Sequence, residues 1–264
     1  MQQCVQAKTE IPEEEIGVRI MIHYHGTPFS GDAHTQTALR ARHACISYAE
    51  PRCIEVAAEV CQSFIIDNGA FSAWTKGKPL DVEGFRTWAM QWSRHPACDW
   101  YLIPDVIDGT EADNDALLEG WWSGGVPVWH LHESLDRLDR LVSTYCRVAF
   151  GSSGQYATVG DRSWWERMTE AMAVACDSTG VPRSKLHGLR MLDPTIFSHL
   201  PFASADSTNV ARNIGIDSAW DRAPYAPRSR FTRALVMMER IEAHASAARW
   251  CDSRGISRNL ELFG

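Results

Sequence analysis

The feature that most restricts the fold of this chain is an alternation. Short apolar runs change places with longer amphipathic stretches about eight times along 264 residues. The apolar runs predict strands at 18–23, 44–47, 64–67, 100–104, 126–131, 147–150, 186–190 and 202–205. Helical spacing predicts helices at 54–61, 82–94, 114–122, 135–145, 163–178 and 194–200, and a terminal helix at 230–249 closes the chain. Strand followed by helix, repeated this often, is the pattern of a parallel sheet covered by helices, and eight repeats close it into a single (β/α)8 barrel, the TIM barrel. An open doubly wound sheet is the alternative, but no Gly-x-Gly-x-x-Gly turn follows any of the apolar runs. Residues 1–16 are polar and acidic and read as a leader, with the barrel occupying 17–264.

A barrel brings the C-terminal ends of its strands to one mouth, however far apart they lie in sequence. The polar residues at those ends are therefore candidates for one site. They are His23 and His25, Asp67, Asp105, His130 with His132 and Glu133, Ser152 with Ser153, His187, and Asp206. An isolated strand-end Asp is commonly a helix N-cap. Three at the same end, accompanied by histidines, point to chemistry. Asp206 stands among small residues, Ala203, Ser204, Ala205 and Ser207, which leave room for a sugar to approach its carboxylate. Asp67 follows Phe64-Ile65-Ile66 and precedes Phe71, apolar neighbours able to shift a carboxyl into the range of a general acid and base.

Composition narrows the functional classes. No apolar stretch nears the ~20 residues of a membrane span, and the polar start has no signal-peptide core, so a cytoplasmic protein is expected. Eight cysteines without a Cys-x-x-Cys pair predict reduced thiols, with neither a disulfide framework nor a zinc site. A net charge of −7 excludes nucleic-acid binding by the surface at large, because phosphate contacts need clustered cations. One local strip escapes that exclusion: Arg222, Arg228, Arg230 and Arg233 occur within 222–238 without a single acid.

Two segments carry a family resemblance. Asp67-Asn68-Gly69-Ala70-Phe71 resembles the Asp-Ser-Gly-Gly-Phe motif of the tRNA-guanine transglycosylases. Asp206, followed by Ser207-Thr208-Asn209-Val210-Ala211-Arg212-Asn213, resembles that family's nucleophilic Asp and the Thr-Arg-Asn-Ala-Arg-Asn stretch after it. The order and spacing also agree, and the likeness spans roughly 64–213. It implies exchange of a guanine base on a nucleic acid through a covalent glycosyl–enzyme on Asp206, with Asp67 as acid and base. It further implies that Asp105, in Ile103-Pro104-Asp105-Val106, accepts hydrogen bonds from the guanine edge. Gly151 and Ser152 fall at the family's turn that offers backbone N–H groups to the base carbonyl. Gly188 and Leu189 fall on the strand that packs against the base, with Phe71 beside it. His130 and His132 lie on the strand where the family carries a base-contacting Gln, and the different residue type means that role does not carry over. Arg212, Arg228, Arg230 and Arg233 are the candidates for backbone phosphates.

The family's tRNA-acting members carry a zinc site of three close cysteines and a histidine after the nucleophile. Only His244 and Cys251 occur in that region here. The zinc-bearing insert is missing, and with it the tRNA-docking surface it supports. In this the chain resembles the DNA 7-deazaguanine transglycosylases of phages and bacterial modification islands. That branch implies DNA over tRNA as the macromolecular partner, a free 7-deazaguanine base as the second substrate, and no cofactor or metal. A stacked guanine cannot present C1′ to a carboxylate, so a duplex substrate needs its nucleotide flipped, by the enzyme alone or with a duplex-opening partner protein.

Two other readings stay open at this point. His23-x-His25, His130, His187 and Asp206 loosely imitate the metal centre of an amidohydrolase barrel, since His-x-His on a strand puts both rings on one face. Alternatively the barrel binds a purine or a nucleic acid without catalysis.

Overall fold

The computed structural model describes residues 21–29, 31–213 and 226–251. The leader at 1–16, the first residues of the strand expected at 18–23, and Arg222 lie outside the described residues. Nine parallel strands form one sheet: β1 Ile22–Gly26, β2 His43–Ser47, β3 Ser63–Asp67, β4 Cys98–Leu102, β5 Gly125–Val126, β6 Val128–His130, β7 Arg147–Gly151, β8 Lys185–Gly188 and β9 Ser204–Ser207. Their order is β5-β4-β3-β2-β1-β9-β8-β7-β6. The two outermost strands of that list flank Pro127, which has no N–H for a ladder. They are two halves of one strand, and the sheet closes on itself there as a (β/α)8 barrel.

The period of two along each strand decides what reaches the interior. Tyr24, Cys45, Ile65, Trp100, Leu102, Val126, Val128 and Ala149 pack together inside the barrel. Val126 and Val128 both face in across Pro127, which keeps the period through the break. Alternate residues face the helices in two outer clusters. Phe64, Ile66 and Tyr101 pack outward with Phe85 and Ala89 of helix Val82–Trp92. Trp129, Val148, Phe150, Leu186 and Ala205 pack outward against helix Arg162–Ala175, which buries Trp164, Met168, Ala171, Met172 and Ala175 at i, i+3 and i+4 spacing. Each such fully buried large side chain contributes on the order of 1.5–3 kcal/mol.

Helix starts follow local chemistry. Ser134, Asp161 and Asp81 cap their helices with side-chain acceptors at 3.1, 2.7 and 2.9 Å. The helix expected at 114–122 instead occupies Glu111–Ala116, because Thr110 and Asp113 form a reciprocal capping box that starts it earlier. Three short helices were not visible as amphipathic stretches: Asp32–Leu39, Ala70–Thr75 and Asn209–Asn213. The terminal helix ends at Glu242, well before 249. His25 bonds Glu242 and His23 bonds the His244 carbonyl, so this helix runs antiparallel to β1. Its N-terminal end therefore lies at the C-terminal, mouth end of the strands.

Candidate active site at the barrel mouth

The inward period carried to the strand ends gives the top layer of the barrel: Ser47 on β2, Asp67 on β3, His130 on β6, Gly151 on β7 and Asp206 on β9. A cavity of ≈ 1020 Å³ opens over this layer. Asp67, Asp105, Asp206, Phe71, His130, Gly151, Ser152, Leu189 and Arg212 all line it, so nine of the residues expected at the site converge on one space.

Asp206 is buried within β9, two residues deeper in regular strand than the run at 202–205 predicts. Its Oδ1 accepts the backbone N–H of Arg190 at 3.1 Å and faces His187 Nε2 at 3.3 Å. Arg190 has φ 59, a left-handed backbone that a non-glycine residue adopts at a cost, and this turns its N–H toward the carboxylate. His187 is fully buried between Asp206 and Ser204, whose Oγ lies 2.9 Å from Nδ1. Arg147 Nη1 donates to that same Ser204 oxygen at 3.0 Å. With the imidazole proton on Nε2 facing Asp206, Nδ1 accepts the Ser204 hydroxyl, whose oxygen also accepts from Arg147. Burial pushes the His187 imidazole down, while the Asp206 carboxylate pulls it the other way. The thiol of Cys45 is pushed well up by burial, with the Asp206 and Asp67 charges adding; it stays protonated and donates to Asp206.

Asp67 has a different setting. Burial pushes its carboxyl up to about 6, and the charges of Asp206 and Asp105 add to this, against bonds from the Ser47 hydroxyl and the Gly69 N–H. Gly69 has φ 79 and a Cβ there would come 3.0 Å from the Ala49 nitrogen, so the turn after Asp67 requires glycine. Two carboxylates therefore line one cavity, Asp206 beside His187 and the Arg190 N–H, and Asp67 with its carboxyl raised by burial.

Asp105 is buried and held from both sides. Asn68 Nδ2 donates to its Oδ1 at 2.7 Å, and His130 Nε2 lies 2.9 Å from its Oδ2. Asn68 also donates to the Ile103 carbonyl at 2.8 Å, which locks its amide. Each carboxylate oxygen retains a second lone pair for a ligand N–H. With the proton of His130 on Nε2, its buried Nδ1 is an acceptor with no partner. A Cβ on Gly151 would lie 2.9 Å from that nitrogen, so glycine makes room for the ring.

Of the other expected residues, His132, Gly188 and Glu133 are not on the cavity wall. His132 is held by the Ser153 hydroxyl at 2.7 Å and the Gly109 carbonyl at 3.2 Å, with its ring stacked 5.7 Å from that of His130. Gly188 packs beneath Phe202, where a Cβ would come within 2.7 Å of the ring. Glu133 is a buried anchor that accepts from Arg137 at 2.6 Å, Asn114 at 2.8 Å and the His130 N–H at 2.8 Å. Ser152 lines the cavity while accepting from Trp164 Nε1 at 2.9 Å. Arg228 and Arg230 are exposed at the mouth end of the terminal helix, and Arg233 instead donates to the Pro227 carbonyl at 2.7 Å.

The metal-centre arrangement is not assembled. His23 and His25 are out of phase with inward-facing Tyr24, so both face the terminal helix outside the barrel. Among the described residues no group of three or more His, Cys, Asp or Glu is placed to hold a metal ion. None of the seven described cysteines is in a disulfide. No described helix is long and apolar enough to cross a membrane.

Sequence reasoning attached no role to Asn68, Cys45, Arg190 or Lys76, all of which line the cavity. Cys45 could have been found from its strand phase, two residues before Ser47. Arg190 could not, since its contribution is a backbone N–H.

No family model matches the chain, and no curated protein matches it. Among solved structures it is similar to a candidate fructose-1,6-biphosphate aldolase from Coccidioides immitis, at 13% identity over 85% of this chain and 87% of that one, with a TM-score of 0.46. It is also similar to a protein from Aquifex aeolicus VF5, at 9% identity over 86% and 92%, with a TM-score of 0.48. Likeness at this level bears on neither activity nor residue roles.

Proposed function

We propose that this chain is a guanine transglycosylase that replaces guanine in nucleic acid, DNA in preference to tRNA, with a 7-deazaguanine base. The observation that carries the reading is that Asp206 and Asp67, on the two segments that resemble the transglycosylase motifs, line one cavity, with burial raising Asp67 to about 6. Double displacement needs a carboxylate nucleophile and a separate acid–base group.

In the first displacement a carboxylate oxygen of Asp206 attacks C1′ of the flipped nucleotide. The bond from C1′ to the guanine nitrogen breaks, and protonated Asp67 delivers its proton to the departing base. An ester joins Asp206 to the sugar, and guanine leaves neutral. In the second, ionised Asp67 takes the proton from the incoming 7-deazaguanine, whose nitrogen attacks C1′ and restores the Asp206 carboxylate. No oxidant, reductant or water is consumed. Asp105 meets the guanidine-like base edge with its remaining lone pairs, held in place by Asn68 and His130. The Arg190 N–H and the His187–Ser204–Arg147 line keep the nucleophile oriented.

Mass spectrometry of nucleosides from DNA and from tRNA of cells expressing the protein tests the reading. A deazaguanine nucleoside in the DNA digest, dependent on Asp206, is the expected result. Absence of any modified purine from both digests, with the deazaguanine base supplied, contradicts it.

A further inference from the structure

Resting on the transglycosylase reading, we infer that Trp74 and the lysines after it form a stacking platform for the single-stranded DNA nucleotide next to the flipped one. A lone exposed tryptophan is ordinary on a protein surface. Trp74 differs in where it stands. It is 46% exposed on helix Ala70–Thr75, which begins three residues after Asp67 and whose Phe71 and Ser72 line the cavity.

A ladder of planar groups leads from the nucleophile to this ring. The Arg190 backbone N–H bonds Asp206, and its guanidinium lies 4.0 Å over the centre of the Phe71 ring. The Phe71 and Trp74 ring centres are 5.7 Å apart, tilted by 44°. Arg190 and Phe71 line the cavity, so the outermost rung is the one that meets solvent. Of the three large apolar side chains exposed among the described residues, Val106 also sits at the mouth, just after Asp105.

The charge around this ring selects the occupant. On a chain of net charge −7, Lys76 and Lys78 follow the tryptophan within four residues, just past the helix end, and both are exposed. Lys76 also lines the cavity. An aromatic face beside mobile cations is how single strands are held without sequence preference: bases stack and phosphates pair. A flipped nucleotide leaves its neighbour short of one stacking partner, and the Trp74 face offers a replacement.

The test uses the full chain and a guanine-free probe, a dT oligonucleotide about ten long, beside the free guanine base. Dissociation constants are measured for wild type, Trp74→Ala, Trp74→Tyr and Lys76→Ala/Lys78→Ala. Trp74→Ala is expected to weaken oligonucleotide binding roughly ten-fold. Trp74→Tyr should restore most of the loss, and guanine binding should not change. The lysine pair should weaken binding with a shallower salt dependence. The inference is overturned if wild type does not bind the probe, if Trp74→Ala binds it normally, or if guanine binding falls in parallel, which would mark a structural role. The two readings also fail separately. A chain that exchanges bases while Trp74→Ala is neutral loses only the platform. A chain whose probe binding needs Trp74 but that exchanges no base loses only the transglycosylase.

Discussion

At the scale of single residues, the raised carboxyl of Asp67 makes measurable demands. Burial raises Asp67 to about 6 in the folded chain, so the folded state holds this proton more tightly than the unfolded one. Its contribution to stability is complete below the ordinary Asp range and is lost as pH rises through about 6. Asp67→Asn should therefore raise the melting temperature at pH 8 and leave it unchanged near pH 4, the gain being at most about 3 kcal/mol. A variant equally stabilised at both pH values would mean that the carboxyl is not desolvated. In the proposed reaction the same proton goes to the departing guanine. Single-turnover release of guanine should fall with rising pH above about 6, and Asp67→Asn should abolish that slope while slowing release by about 10²–10⁴. Asp67 and Asp206 were both legible in the sequence, because each follows an apolar run and so falls at the strand end where a barrel gathers its polar groups. The second layer was not. Asn68, Cys45 and the Arg190 N–H act through partners on other strands, and neither spacing nor residue type announces that.

At the scale of elements, strand phase explains both the agreements and the corrections. His23-x-His25 does put two rings on one face of β1, as the spacing predicts, but Tyr24 takes the interior, so that face is the outer one. The strand alone could not say which face was in. The short helices Ala70–Thr75 and Asn209–Asn213 escaped notice because five or six residues carry too little periodicity. Two predictions belong here. Gly188 lies against Phe202 and Met191, so Gly188→Ala should destabilise the chain by about 1–3 kcal/mol in denaturant unfolding without moving any cavity residue. Unchanged stability would mean that β8 has slack that the contacts deny. The terminal helix presents Arg228 and Arg230 at the mouth end, whereas Arg233 braces its own loop. Arg228→Ala/Arg230→Ala should reduce the salt dependence of oligonucleotide binding by about 0.7–0.9 in slope per arginine and spare free guanine. Normal binding at every salt concentration would place the phosphate contacts elsewhere.

At the scale of the whole molecule, eight inward strand ends make one cavity, whose wall carries the carboxylates Asp67, Asp105 and Asp206. The imidazoles of His23 and His25 engage the terminal helix, so incubation with EDTA should leave both the melting temperature and base exchange unchanged. Activity lost to the chelator and restored by a divalent ion would return the metal-dependent hydrolase to the front. The barrel itself was readable from the alternation of apolar and amphipathic segments, down to six of its helices, with a seventh expected at 114–122 but found at Glu111–Ala116. Its closure was less so, because the run at 126–131 hides a strand broken at Pro127. The central claim is that Asp206 forms a covalent bond to the sugar, and trapping that species tests it most directly. The protein is mixed with a guanine-containing single-stranded oligonucleotide without the incoming base, denatured, and weighed intact and after digestion. The account predicts a mass equal to protein plus oligonucleotide less guanine, mapped to the peptide bearing Asp206, and absent from a folded Asp206→Asn variant. An adduct on another residue, or base exchange by Asp206→Asn at near wild-type rate, would contradict it.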